Sequence, residues 1–364
     1  MPIQASSWDE LHAAKERARE RFFPRTLEAG TIGRRAPLTV SAAAAAARSN
    51  VHAVGIGPKL AKGSVSPVLC VRLYVVQKLP PSAVPSDARL PDEIDGVPTD
   101  VIESPPAFIL PPVQGASPGG PLMAAAALPP CSVNRRTKQR PVVPGISVAH
   151  DTVTAGTLAA LCASTNPEDG GEAVFVLSNN HVFADVNKGR KADALWQPGW
   201  ADGGTGADTF AKLHRFVPIQ LGGTVPNHVD CAIGELHDGI DYSPAICSIG
   251  LLTGTERATE NMMVRKHGRT TGYTEGRVTD VAYDALVGMD HNDSSVVALF
   301  EDQLRIERMD PFPSFGLGGD SGSLVANKDR NSAVGLYFAG PEDGSYGVAN
   351  PIEDVVRELQ ITLL

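Results

Sequence analysis

The sequence predicts a mainly β protein, and three observations carry that expectation. Glycine (36) and proline (29) punctuate the 364 residues more densely than long helices tolerate. From about residue 145 onward, short apolar runs alternate with Gly/Asp/Asn turns. The runs are Gly156–Cys162, Ala173–Leu177, His228–Leu236, Met263–Lys266, Gly276–Ala282, Ser323–Val325 and Ala333–Phe338. Helical periodicity is confined to the two ends of the chain.

Within residues 1–30, Ser7 and Glu10 form a capping box, and Trp8, Leu11, Ala18 and Phe22 fall near one helical face. This amphipathic helix is expected to dock on the protein body or on a neighbouring subunit. Val51–Gly57, Val68–Lys78 and Val97–Glu103 are rich in β-branched residues, so 50–105 reads as a small strand-rich module. Gly55-Ile56-Gly57-Pro58 reads as a turn between two of its strands. It lacks the third glycine and the Gly-Lys-Ser/Thr ending of a phosphate loop.

Ten prolines between 105 and 144 exclude a helix or central strand, making 106–145 a linker or an extended wrap. Arg135, Arg136, Lys138 and Arg140 form a solvated basic cluster in it, or an accessible cleavage site. At the far end, Asn350 as N-cap and Pro351 at the first helical position precede Ile352, Val355, Val356 and Leu359, which mark one C-terminal helix.

Three segments carry chemistry. The apolar strand Val174–Ser178 runs through Asn179-Asn180 into His181. Asp230 stands among apolar neighbours in Val229–Ile233. Ser321 sits in a glycine-rich elbow, Gly318-Gly319-Asp320-Ser321-Gly322-Ser323, just before an apolar strand. A serine hydroxyl is a weak nucleophile without a neighbouring base, and a tetrahedral intermediate needs N–H donors aimed at its oxyanion. Glycine at 319 frees the backbone to aim the N–H groups of Gly319 and Ser321 the same way. His181 would take the Ser321 proton and Asp230 would hold the other imidazole nitrogen, with Asp202 and Asp208 as competitors for that third role. Lys266 and Arg269 read as solvated strand residues, Cys231 as core.

Gly-Asp-Ser-Gly-Ser-Leu-Val at 319–325 resembles the nucleophile motif of chymotrypsin-fold serine proteases. The order His, Asp, Ser matches as well, with separations of 49 and 91 residues. Gly268–Val278 is similar to an early strand of the second barrel in bacterial members, and Val334–Gly340 to the strand lining the substrate cleft. The whole chain looks most like bacterial relatives of the plant Narrow-leaf proteases. The resemblance implies a chymotrypsin-like double β-barrel, with 146–250 (His181, Asp230) as the first barrel and 251–364 (Ser321, then the helix) as the second. It further implies a serine endopeptidase acting on protein or peptide substrates, with no cofactor. Phe338, Ala339 and Gly340 would line the cleft, and Phe315, Gly340 and Gly347 the primary specificity pocket. No acid stands at its base, so small or medium apolar side chains are expected there.

The sequence also departs from the pattern. Asn179-Asn180 replaces small apolar residues, and Phe338 stands where many members have a serine bonded to the aspartate. The barrel begins mid-chain near Pro144–Ser147, so Asp320 is expected to be satisfied locally rather than by a freshly cleaved N-terminus. These departures keep open a catalytically silent scaffold that binds peptides or partner proteins.

Net charge is −9, which argues against a nucleic-acid partner. No run of about 20 apolar residues is present to span a membrane, and residues 1–30 lack the apolar core of a secretory signal. The five cysteines are widely spaced without C-x-x-C, and the nine histidines include no H-x-x-x-H, so neither a metal site nor a dense disulfide framework is expected. A cytoplasmic, reducing setting is the default expectation. The N-terminal helix and module suggest a homo-oligomer.

Overall fold

Turn-punctuated apolar runs become strands, and the two capped periodic segments become helices. The computed structural model describes residues 6–23, 50–61, 64–86, 88–113, 131, 133–293 and 295–364. Residues 24–30 of the expected N-terminal segment, and 114–130 and 132 of the expected linker, lie outside the described residues.

The helices are α1 (Trp8–Phe22), α2 (Asn180–Phe183) and α3 (Ile352–Leu359). The strands begin with β1 (Val51–Ala61), β2 (Ser64–Val75), β3 (Glu93–Ile94) and β4 (Val97–Glu103). Next come β5 (Ser147–His150), β6 (Gly156–Thr157), β7 (Ala160–Ser164), β8 (Val174–Ser178), β9 (Ala194–Trp196), β10 (Thr209–Phe216), β11 (Pro226–Asn227) and β12 (Ala232–Leu236). The last are β13 (Met263–Gly268), β14 (Gly272–Gly288), β15 (Val297–Arg308), β16 (Leu324–Asn327), β17 (Ala333–Ala339), β18 (Tyr346–Pro351) and β19 (Ile361–Leu363). The protein is mainly β, as expected.

The chain divides into two compact units. The first comprises Met1–Ala107, Gln220–Pro226 and Asp280–Gln303, so it is not the contiguous 50–105 module the sequence suggested. In it β3, β4, β2 and β1 lie side by side, and β1 pairs with the Asp280–Gly288 part of β14 at Ala53↔Ala285 and Val54↔Asp284. The β2–β4 pair is parallel. Gly55 and Gly57 lie inside β1 rather than in a turn. A Cβ at 55 would strike the Asp280 carboxylate, and one at 57 the Arg72 guanidinium. These glycines make room for buried charge.

The capping box of α1 is formed, with Glu10 N–H donating to Ser7 Oγ (3.2 Å) and Ser7 N–H to Glu10 Oε2 (2.7 Å). Its buried face is Leu11, Ala14, Lys15 and Ala18, whereas Trp8 is 48% exposed. The sequence placed Trp8 inside and missed Lys15. The reason is electrostatic: Lys15 Nζ reaches Asp284 Oδ1 (2.7 Å), Asp302 Oδ1 (2.5 Å) and the Ala282 carbonyl (3.2 Å). A lysine is buried when its charge is met this way.

The second unit comprises Phe108–Ile219, Asn227–Thr279 and Leu304–Leu364. One sheet runs β19-β7-β8-β12-β10-β9-β5-β6. The other closes on itself: β13, β16, β17, β18, β15 and β14 pair in succession, and β14 pairs back to β13. Helix α3 buries Ile352, Val355 and Leu359 in the cluster that holds Phe175, Ile233, Leu324 and Leu336. Two details depart from the expected 251–364 barrel. Residues 280–303 belong to the first unit, and β19 joins the first sheet beside β7, Ile361 facing Ser164. Asn350 ends in β18 and does not cap α3; its Oδ1 accepts the Asp230 N–H (3.1 Å).

Candidate active site

His181 lies in α2, the single turn that follows β8. The N–H groups of Val182 and Phe183 donate to the Asn179 carbonyl, which turns the chain sharply enough to aim the imidazole sideways. Asp230 immediately precedes β12, which pairs with β8 at Ala232↔Ser178. The register delivers the two side chains to one place: His181 Nδ1 is 2.5 Å from Asp230 Oδ2, and the His181 N–H donates to Asp230 Oδ1 at 3.2 Å. Asp230 is fully buried and His181 is 8% exposed. A carboxylate facing Nδ1 places the ring proton there and leaves Nε2 as the basic nitrogen.

Asn179 and Asn180, both fully buried, do not line a cleft. Asn179 Nδ2 donates to the Asp230 carbonyl (2.7 Å), and Asn180 Nδ2 ties Asn187 Oδ1 (2.8 Å) to the Val217 carbonyl (2.7 Å). Asn179 clamps the backbone that carries the aspartate, and Asn180 ties together the loops at Asn187 and Val217.

Ser321 sits between Gly319 (φ +95°) and Gly322 (φ +93°). Thr157 locks this turn: its N–H donates to the Ser321 carbonyl (2.7 Å) and its Oγ1 to the Gly319 carbonyl (2.9 Å). Among the described residues, the N–H groups of Gly319 and Ser321 donate no hydrogen bond. The Ser321 hydroxyl donates to the Phe338 carbonyl (3.2 Å) rather than to His181.

Asp320, fully buried next to the serine, accepts from the N–H groups of Thr270 (2.8 Å), Thr271 (3.1 Å) and Leu317 (3.0 Å) and from Thr271 Oγ1 (2.8 Å). Lys266 Nζ stands 3.4 Å away. Burial opposes the charged form, but the Lys266 charge and these donors outweigh it and hold the carboxyl below its usual range.

Lys266 and Arg269 are therefore not solvated; both side chains are fully buried. Arg269 grips Asp202 with two bonds (Nε–Oδ2 2.8 Å, Nη2–Oδ1 2.6 Å). Asp202 is thereby spent. Asp208 is taken by Thr205 and Lys138. Arg135 donates to the carbonyls of Arg269 and Thr270 (3.3 Å each), and Arg140 to Gln197 Oε1 (2.7 Å), so these two members of the basic cluster dock while Lys138 stays exposed.

The expected pocket residues converge on a side chain the sequence reading missed. Tyr337 stacks edgewise on Phe315 (6.1 Å between centroids), and a Cβ at Gly347 would lie 2.6 Å from its ring. Its hydroxyl lies 3.0 Å from the position a Cβ would take on Gly340. The alternation of β17 carries no clean signal for it, because the pairing with β18 shifts register between Tyr337 and Ala339. Phe338 and Ala339 are buried strand residues.

Away from this site, Cys131 and Cys247 form a disulfide (Cα–Cα 5.2 Å) that their separation of 116 residues did not announce. A ring nitrogen of His267 joins their sulfurs within 4.8 Å. With both sulfurs bonded to each other, no thiolate is available there to ligate a metal.

No family model and no curated protein matches the chain. Among solved structures it is similar to a glutamic-acid-specific serine protease that uses a histidine triad in substrate binding, at 16% identity over 61% of this chain and 100% of that one, with a TM-score of 0.43. It is similar to Thermobifida fusca protease A (13% identity, 61% and 98% covered, TM-score 0.43). It is also similar to Cellulomonas bogoriensis chymotrypsin (13% identity, 61% and 98% covered, TM-score 0.40).

Proposed function

We propose that the chain is a serine endopeptidase. Ser321 attacks the substrate carbonyl, His181 Nε2 takes its proton, and Asp230 holds Nδ1 and balances the imidazolium. The N–H groups of Gly319 and Ser321 receive the oxyanion. The imidazolium then protonates the departing amine, and water repeats the sequence to release the acyl group. The observation that supports this reading best is the 2.5 Å contact between His181 Nδ1 and Asp230 Oδ2, two groups 49 residues apart, on a scaffold whose Ser321 and Gly319 N–H groups donate no hydrogen bond among the described residues.

The Ser321 hydroxyl has to turn from the Phe338 carbonyl toward His181, a rotation between staggered wells of χ1. A fluorophosphonate probe tests the reading. Labelling is expected in the parent chain, to vanish in Ser321→Ala and to slow about 10⁴-fold in Asp230→Asn.

The direction of the Ser321 hydroxyl favours a second reading, a silent scaffold that binds peptides; a folded chain that never labels, in the parent and in Phe108→Pro alike, would establish it. The relation to bacterial relatives of the plant Narrow-leaf proteases and self-association through the N-terminal helix belong to the same proposal. Light scattering on the intact chain tests the latter.

A further inference from the structure

The segment Phe108-Ile109-Leu110-Pro111-Pro112-Val113 belongs to the stretch expected to be a linker, yet it is bound at both ends. Phe108 forms an antiparallel bridge with Gly340: the Phe108 N–H donates to the Gly340 carbonyl (3.0 Å), and the Gly340 N–H returns to the Phe108 carbonyl (3.2 Å). Five residues on, the Val113 N–H donates to the Gly318 carbonyl (3.0 Å), and Arg269 Nη1 donates to the Val113 carbonyl (3.0 Å). Between these anchors the chain lies on the glycines before the serine. A Cβ on Gly318 would strike the Pro111 carbonyl and sit 3.1 Å from Leu110 Cβ. One on Gly319 would sit 3.1 Å from Pro112 Cβ. Glycine at 318 is thus needed for close approach of another main chain.

We propose that the edge made by Gly340 and Gly318-Gly319 is a binding groove for an extended apolar peptide, and that residues 108–113 of the chain itself are its resident occupant. Main-chain bonds on the strand edge supply affinity without reading sequence, and side chains on alternate positions supply preference. The occupant's side chains are apolar throughout.

The two peptide bonds nearest Gly318, Leu110–Pro111 and Pro111–Pro112, both end in a proline nitrogen. That nitrogen carries no N–H, and the proline ring crowds the residue before it. A segment of this composition sits in a protease groove as a substrate would while presenting poor bonds to cut. Being tethered, it competes at an effective concentration on the order of millimolar, so a peptide of equal intrinsic affinity displaces it only at comparable concentration. The substrate role of the groove rests on the protease reading; its occupancy by 108–113 does not.

The test uses the full chain carrying Ser321→Ala and a fluorescent peptide of residues 107–113, Ala-Phe-Ile-Leu-Pro-Pro-Val, followed by anisotropy. Phe108→Pro removes the donor to Gly340, and the milder Val113→Pro removes the donor to Gly318. Each is expected to tighten peptide binding at least tenfold over the Ser321→Ala parent, with thermal melts confirming that the chains are folded. Equal binding to all three chains, or none to any folded chain, overturns the proposal. With Ser321 restored, the same proline variants are expected to label at least tenfold faster with fluorophosphonate. If peptide binding follows the expected order and nothing labels, the groove stands and the protease reading falls.

Discussion

Asp284 in the first unit and Asp320 in the second are both fully buried beside a buried lysine, and their carboxyls move in opposite directions. Burial pushes Asp284 up; Lys15 and the Asp302 N–H pull it back, Asp302's own charge pushes again, and it ends above its ordinary value. Burial pushes Asp320 up too, but Lys266 and the N–H groups of Leu317 and Thr271 pull it below. Asp284 accepts one backbone N–H, from Asp302 at 2.9 Å, against three for Asp320.

The lysines differ accordingly. Lys15 is held above its usual value because, against burial, Asp284 and Asp302 both contact it. Burial lowers Lys266, whose 2.7 Å bond goes to the Thr271 hydroxyl. Backbone donors fixed by a turn hold a carboxylate charged at no cost of reorganisation. Flexible side-chain partners bring their own desolvation cost.

The largest expected effect is at Asp320. Asp320→Asn leaves Lys266 buried without a counter-charge and the turn beside Ser321 without its acceptor, costing about 3–5 kcal/mol in urea unfolding. Lys266→Met should cost much less, since three N–H groups still face the carboxylate. Equal losses in the two variants would make the lysine the true counter-ion and erase the contrast. Asp284→Asn is expected to cost about 2 kcal/mol, because Lys15 keeps Asp302 and the Ala282 carbonyl.

Asp280 sharpens the comparison through pH. Burial raises its carboxyl to about 6 from 3.8, against the pull of Arg72 and of the N–H groups of Ala282 and Ile56. The folded chain therefore holds this proton more tightly than the unfolded one. Its ionisation penalty is absent below pH 3.8, grows as pH rises, and is complete above about 6. Asp280→Asn should thus melt higher than the parent at pH 8, with the gain fading to nothing near pH 4. A difference that does not vary with pH would refute the raised value. The smallest effect is at Trp8, where Ala should cost within about 0.5 kcal/mol, whereas Leu11→Ala on the buried face of the same helix should cost roughly 2–5 kcal/mol.

Local rules reached many of the strands, though not β9, β10, β15 or β18, and both terminal helices and the Ser7–Glu10 box, because each depends on residues a few positions apart. Apolar neighbours favour Asp230 over Asp202 and Asp208 as the partner of His181, and the order of the residues enters through the resemblance to chymotrypsin-fold proteases. What escaped the sequence was set by distant contacts: Lys266 reads as a solvated lysine until Asp320 meets it, nothing local singles out Lys15 until Asp284 does, and Gly55 and Gly57 read as a turn until Asp280 and Arg72 need the space. Among the described residues of 105–145 no helix or strand forms, as the proline content predicts, but composition is silent on whether an irregular segment is solvated or bound, as Phe108 and Arg135 are.

Strands β14 and β15 give Asp280–Gln303 to the first unit from deep in the sequence. Cutting the protein near residue 105 therefore does not free a self-sufficient piece. It strips β1 away from Ala285 and Asp284, strands the Asp284 carboxylate without Lys15, and bares the ladder edge that β1 had covered. Clumping of such a trimmed chain would report that wound.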